Sequence, residues 1–158
     1  MKLPTKKRMT KRLDIAVGKY IKERSGQTCD ICGIHKDSTP QGTLDLSHYI
    51  SRRYLMIRHY EPNLLSSCRK CHTKYGDGFN QEMMDTINRL YGEGTTDRLE
   101  RIANQFSTTK GTLYDLVESR LQLEEHYKQK LKLLDEMPGK EVMKLIFEDF
   151  GQGKLNEI

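Results

Sequence analysis

Four cysteines in two CxxC pairs, Cys29-Asp30-Ile31-Cys32 and Cys68-Arg69-Lys70-Cys71, constrain this chain more than any other feature, because two distant segments must meet at one point. A two-residue spacer lets both thiolates of one knuckle reach the same ion, and two knuckles supply the four ligands of tetrahedral Zn²⁺. No cysteine is left over. Two disulfides or a redox pair would use the same residues, but no secretory signal precedes the first pair and no βαβ pattern surrounds either. Four thiolates saturate the ion and leave no position for water, so the expected zinc is structural.

Such a staple suits the composition. With 35% hydrophobic and 31% charged residues in a chain of 158, the core is modest for the length, as in a small domain with helical extensions. No run approaches the ~20 apolar residues of a membrane span, so no membrane role is expected, and reduced thiols fit a cytoplasmic location. The charge is uneven. Residues 1–24 carry nine Lys/Arg against Asp14 and Glu23, residues 25–78 carry seven against five acids, and the remainder eleven against fifteen. Lys2, Lys6, Lys7, Arg8, Lys11 and Arg12 therefore read as a basic arm able to neutralise nucleic-acid phosphates, although a solubilising tail would have the same composition.

Periodicity divides the chain into a basic arm with an N-terminal helix (1–26), a metal-stapled core (27–78) and a helical extension (79–158). Thr10 is a candidate cap for a helix running to about Arg24, with Leu13, Ala16, Val17, Tyr20 and Ile21 on one stripe. Thr43 to Ile50 alternates as a strand, with Leu44, Leu46 and His48 on one face and Asp45, Ser47 and Tyr49 on the other. Residues 51–67 read as an irregular loop with a second strand near its end, and a short helix from the second knuckle stops at Gly76 and Gly78. Helices are then expected over 80–91, 96–106, 113–136 and 140–150. The fold class is α+β, a ββα unit extended by helices.

The chemistry is expected between the knuckles. Phosphodiester hydrolysis needs an activated water, neutralised phosphate charge and a stabilised leaving oxygen. His48, on a strand, can take a proton from water near neutral pH; it can equally be a half-buried strand histidine or a replacement zinc ligand. Asn63 can bind a hard divalent cation through its amide oxygen, orient the His48 loop, or merely brace a turn. His72 follows the last cysteine and can hold a metal or phosphate, or lie on the helix surface. Arg52, Arg53 and Arg58 in the loop, with Arg69 and Lys70 on the knuckle, are the expected phosphate clamps. Tyr49 or Tyr54 could stack on an unpaired base, although packing is the commoner role.

The pattern Asp45-Leu46-Ser47-His48-Tyr49, followed by Asn63-Leu64-Leu65-Ser66-Ser67-Cys68-Arg69-Lys70-Cys71-His72, resembles the HNH, or ββα-metal, endonuclease superfamily. Cys29 to Gly33, Lys74 to Asp77 and the distal Glu125-His126-Tyr127 narrow the likeness to the NinG/Rap recombination endonucleases of lambdoid phages, over roughly residues 10–135. The resemblance implies a phage enzyme in the host cytoplasm that nicks D-loops and Holliday junctions with a divalent cation. It implies His48 as general base, Asn63 as the loop asparagine and His72 as the third motif residue. One departure is Ser47, where many relatives carry a metal-binding aspartate or histidine; Asp45, on the same strand face, is the candidate substitute. Another is the third motif residue, which varies in the recombination subfamily. The expected catalytic shell is thus Mg²⁺ or Mn²⁺ held by Asp45, Asn63 and His72.

Branched DNA is the partner that the resemblance implies. A two-fold junction would suit a homodimer, for which the 113–136 helix is long enough to provide an interface, although packing within one subunit would use it as well. The alternatives are a sequence-specific or nonspecific HNH endonuclease, and a non-catalytic zinc module that binds DNA.

Overall fold

A computed structural model describes residues 4–55, 57–76, 80–106 and 117–136. Among the described residues, five α-helices and one two-stranded antiparallel sheet follow one another as α1 (Lys6–Arg24), β1 (Asp45–His48), β2 (Leu64–Ser67), α2 (Arg69–Tyr75), α3 (Gln81–Tyr91), α4 (Thr95–Phe106) and α5 (Val117–Glu136). The fold is α+β. Among the described residues no helix is long and apolar enough to cross a membrane.

Helix α1 begins earlier than the sequence suggests. Thr5 is its cap, accepting a hydrogen bond from the Arg8 N–H at 3.3 Å, whereas the Thr10 hydroxyl donates back to the Lys6 carbonyl from inside the helix. The expected basic arm is therefore helical from Lys6, and Lys6, Lys7, Arg8, Lys11 and Arg12 are exposed on its first two turns. Its buried stripe gains Met9, one turn before Leu13, and continues through Val17, Tyr20 and Ile21.

The sheet is shorter than the alternation over 43–50. Thr39 caps a turn by accepting from the Thr43 N–H at 3.2 Å, and pairing starts only at Asp45. The register pairs Asp45 with Ser67, Leu46 with Ser66, Ser47 with Leu65 and His48 with Leu64. All four β2 residues are buried, as expected of a strand covered on both faces.

Two cores result. On one side, Val17, Tyr20, Ile21, Leu64 and Tyr127 pack together with Leu46, Leu123, Leu131 and Leu134, so α5 lies on α1 and both cover the Leu46–Leu64 face. On the other, Tyr49, Ile50, Ile57 and Leu65 meet Met83 and Ile87 of α3 and Leu99 and Ala103 of α4. Burial of this kind is worth roughly 1.5–3 kcal/mol per large apolar side chain. Helices of the extension thus complete both cores with the hairpin. The expected helix over 140–150, the start of the one over 113–136, Gly78 and Lys2 lie outside the described residues.

Candidate metal centre and neighbouring polar clusters

The knuckles form by local turns. Gly33, at φ 74°, closes the first by donating its N–H to the Cys29 carbonyl, while the Cys29 N–H reaches the Ile34 carbonyl. Cys68 caps α2, its sulfur accepting from the Cys71 N–H at 3.5 Å. Asp30 fastens the first knuckle to β2: its N–H donates to the Ser66 carbonyl at 2.8 Å and its carboxylate accepts from the Ser66 N–H at 2.7 Å.

These contacts bring the sulfurs of Cys29, Cys32, Cys68 and Cys71 within 4.8 Å of one another, and the Cys32 and Cys68 sulfurs are 3.8 Å apart. A tetrahedron with Zn–S bonds of ~2.3 Å has edges of about 3.8 Å, so the cluster fits a metal ion such as zinc. Burial pushes the Cys29 and Cys71 thiols up, so these two would need a bound cation to stay deprotonated. It is the one group of three or more His, Cys, Asp or Glu among the described residues with metal-site geometry.

Asp45 and His72 meet. His72 Nδ1 lies 3.2 Å from the Asp45 carboxylate, and both side chains are partly exposed. Arg69 Nε approaches the same oxygen at 3.3 Å, so a cation there competes with a guanidinium. A carboxylate and an imidazole side by side are donors of the kind that divalent cations accept.

Asn63 does not join that pair. It is fully buried, its side-chain oxygen accepts the Ile50 N–H at 2.6 Å, and its amide nitrogen donates to the Ile50 and Ile57 carbonyls at 3.0 Å each. The expected cation role is corrected to a brace that ties the end of β1 to the loop.

His48 leaves β1 on the opposite face from Asp45, and their Cα atoms are ~10 Å apart at ~3.3 Å per residue. Its Nε2 lies 3.1 Å from the Arg58 carbonyl, and the side chain is 3% exposed. A carbonyl only accepts, so Nε2 carries a proton, and in the neutral form of the ring the buried Nδ1 is then the basic atom. The resemblance had implied a metal shell of Asp45, Asn63 and His72 beside His48 as the base; the fold gives a carboxylate–imidazole pair on the α2 side, a buried brace at Asn63 and a buried histidine on the α1 side.

The expected phosphate clamps also divide. Arg58 is not available: its guanidinium makes a two-point pair with Asp14, Nε to Oδ1 at 3.1 Å and Nη2 to Oδ2 at 2.8 Å. Arg52, Arg53, Arg69 and Lys70 are exposed, Arg53 lying over the Tyr54 ring at 5.0 Å. Arg12 pairs with Glu124 at 3.0 Å. Tyr49 is core, its hydroxyl donating to Glu100 at 2.6 Å, so burial and that carboxylate raise its pKa and it offers no stacking surface.

Sequence reasoning passed over a second set of residues. Asp14 accepts from His59 Nε2 at 2.7 Å as well as from Arg58; burial alone would raise its pKa, but these hydrogen bonds and charges bring it down to about 2. Arg24, only 3% exposed, pairs with Asp30 at 2.6 Å, and Glu61 accepts from Tyr20 at 2.9 Å and Lys130 at 2.8 Å. The signal for Asp14 was its isolation as the single acid within the first 22 residues. An open groove of about 480 Å³ beside it, between α1 and the segment before β1, carries Lys19, Lys22 and Lys36 on its walls.

No protein-family model matches the chain, and comparison with curated proteins and with solved structures likewise found no match.

Proposed function

We propose that this chain is a metal-dependent, structure-selective DNA endonuclease that hydrolyses phosphodiester bonds in branched recombination intermediates such as D-loops and Holliday junctions. The observation that carries the reading is His48 at the end of β1 with Nε2 on the Arg58 carbonyl. That contact fixes the tautomer in which Nδ1 accepts a proton from an attacking water. The choice of branched DNA rests on the resemblance described from the motifs.

In this reading the four cysteines hold structural zinc and take no part in the reaction. Asp45 and His72 would hold Mg²⁺ or Mn²⁺, which supplies charge neutralisation at the phosphate and the leaving oxygen. Asn63 keeps the base in register by fixing the backbone at Ile50 and Ile57. The exposed cations of α1, with Arg52, Arg53, Arg69 and Lys70, give sequence-independent attraction for the DNA backbone. A homodimer acting on a two-fold junction belongs to the same proposal.

One observation favours a second reading, a metal-stapled DNA-binding module without catalysis: His48 is 3% exposed, whereas a base must reach its water. Cleavage of matched linear duplex, single strand, D-loop and four-way junction by wild type and His48→Ala, with Mg²⁺, Mn²⁺ or EDTA, decides between them. Preferential cutting of branched DNA that EDTA and the alanine both abolish supports the nuclease. Binding without cutting under every metal selects the binding module, and equal cutting of all substrates removes structure selectivity.

A further inference from the structure

We infer that Asp14 is a positioning residue for His48, acting through the two-residue segment Arg58-His59; the catalytic part of this inference rests on His48 being the base proposed above. Asp14 lies in the middle of α1, on the shoulder of the buried stripe. Its carboxylate accepts three hydrogen bonds, from Arg58 Nε at 3.1 Å, Arg58 Nη2 at 2.8 Å and His59 Nε2 at 2.7 Å. All three donors belong to consecutive loop residues some 44 positions away in the chain.

The backbone of the same two residues is bound as well. The Arg58 carbonyl accepts from His48 Nε2 at 3.1 Å, and the His59 carbonyl accepts from the Tyr127 hydroxyl on α5. The segment is therefore held at both side chains by α1, at one carbonyl by β1 and at the other by α5.

A histidine ring is held no better than the group it hydrogen-bonds to. The Arg58 carbonyl belongs to an irregular segment outside any helix or strand, so its direction depends on what fixes the residues carrying it. Asp14 supplies that fixation with charge-assisted bonds in a fork that restricts rotation as well as distance. His59 Nε2 is committed to the Asp14 carboxylate, which makes this imidazole an anchor. Arg58, expected from sequence to clamp phosphate, is instead the link between carboxylate and carbonyl.

The experiment uses the zinc-loaded full chain. Ring ¹⁵N shifts of His48 are recorded without DNA or Mg²⁺ for wild type, Asp14→Asn and Arg58→Ala, the last keeping the Arg58 carbonyl while removing its anchor. Junction binding and single-turnover cleavage are measured beside them. Wild type should show His48 as a single Nε2–H tautomer. Both variants should show a mixture of tautomers, and cleavage should fall about 10- to 100-fold, the range expected for a misplaced catalytic group, with junction affinity changed less than about twofold. Asp14→Glu, which keeps the charge, should recover part of the loss.

An unchanged His48 tautomer in either folded variant overturns the inference. So does a loss of cleavage in Arg58→Ala explained entirely by weaker junction binding, because that would make Arg58 a phosphate contact after all. If the tautomer shifts as expected but wild type cuts no DNA, the positioning role stands and the nuclease reading is what has failed.

Discussion

The two faces of the β1–β2 hairpin handle polar groups in opposite ways. On the α2 side, Asp45, His72 and Arg69 are partly or largely exposed and share one carboxylate oxygen, an arrangement that water can enter and a cation can rearrange. On the α1 side, His48, His59, Arg24, Glu61 and Asp30 are nearly or wholly withdrawn from solvent. Their hydrogen bonds are made to groups brought from other parts of the chain. A buried polar group left unsatisfied costs about 1–3 kcal/mol, so the α1 side must be built to one geometry, while the α2 side can change partners cheaply. One face is suited to exchange and the other to holding a shape.

The largest test of that contrast is the four-cysteine cluster, which would be stapled by a structural metal such as zinc. Stripping the metal, or Cys68→Ser, should unfold the hairpin cooperatively, since structural zinc binding supplies about 10–16 kcal/mol in small metal-stapled domains. Metal content and thermal melting followed together check it, and a metal-free chain with an unchanged melting temperature would break it.

Next in size is Asn63. Asn63→Asp removes both donors to the Ile50 and Ile57 carbonyls and puts negative charge against them, so it should cost about 3–5 kcal/mol in denaturant unfolding. A cation ligand would tolerate that change or bind metal more tightly, and that outcome would return Asn63 to the metal shell.

Asp14 sharpens the comparison through pH. Its folded pKa of about 2 lies below the ordinary 3.8, so the carboxylate contributes stability that is fully present above 3.8 and is lost as pH falls through about 2. The stability difference between wild type and Asp14→Asn should accordingly be constant near neutral pH and shrink across that acid window, as read by urea melts at a series of pH values.

The smallest effect is expected where α1 meets the hairpin. A Cβ at Gly18 would stand 3.8 Å from Leu46 Cδ2, an ordinary contact, so Gly18→Ala should stabilise by up to about 1 kcal/mol through helix propensity alone. A destabilised variant would show that the α1–sheet contact is tighter than that spacing.

Local signals were read well where chemistry is local. The CxxC spacing predicted the cysteine cluster, the apolar period placed α3 and α4 within a residue and the C-terminal end of α1, and Gly76 ends α2 at φ 63°. Thr10 failed as a cap because a threonine can satisfy its hydroxyl inside a helix, which residue type alone does not reveal. The site was harder. His48, Asn63 and His72 are close in motif order, but strand alternation and burial send them to different surroundings. Arg58 looked like a free cation because its partner lies 44 residues upstream.

By itself, the sequence determined which residues can bind a soft metal ion, where the described helices carry their apolar stripes and where positive charge accumulates, because ligand spacing, period and composition act within a few residues. Only the tertiary structure decided that Asn63 braces rather than ligates, that Arg58 is neutralised by Asp14, and that α5 spends its apolar side on α1. Those outcomes depend on which distant groups are buried together, and burial makes each hydrogen bond obligatory once the partners have met.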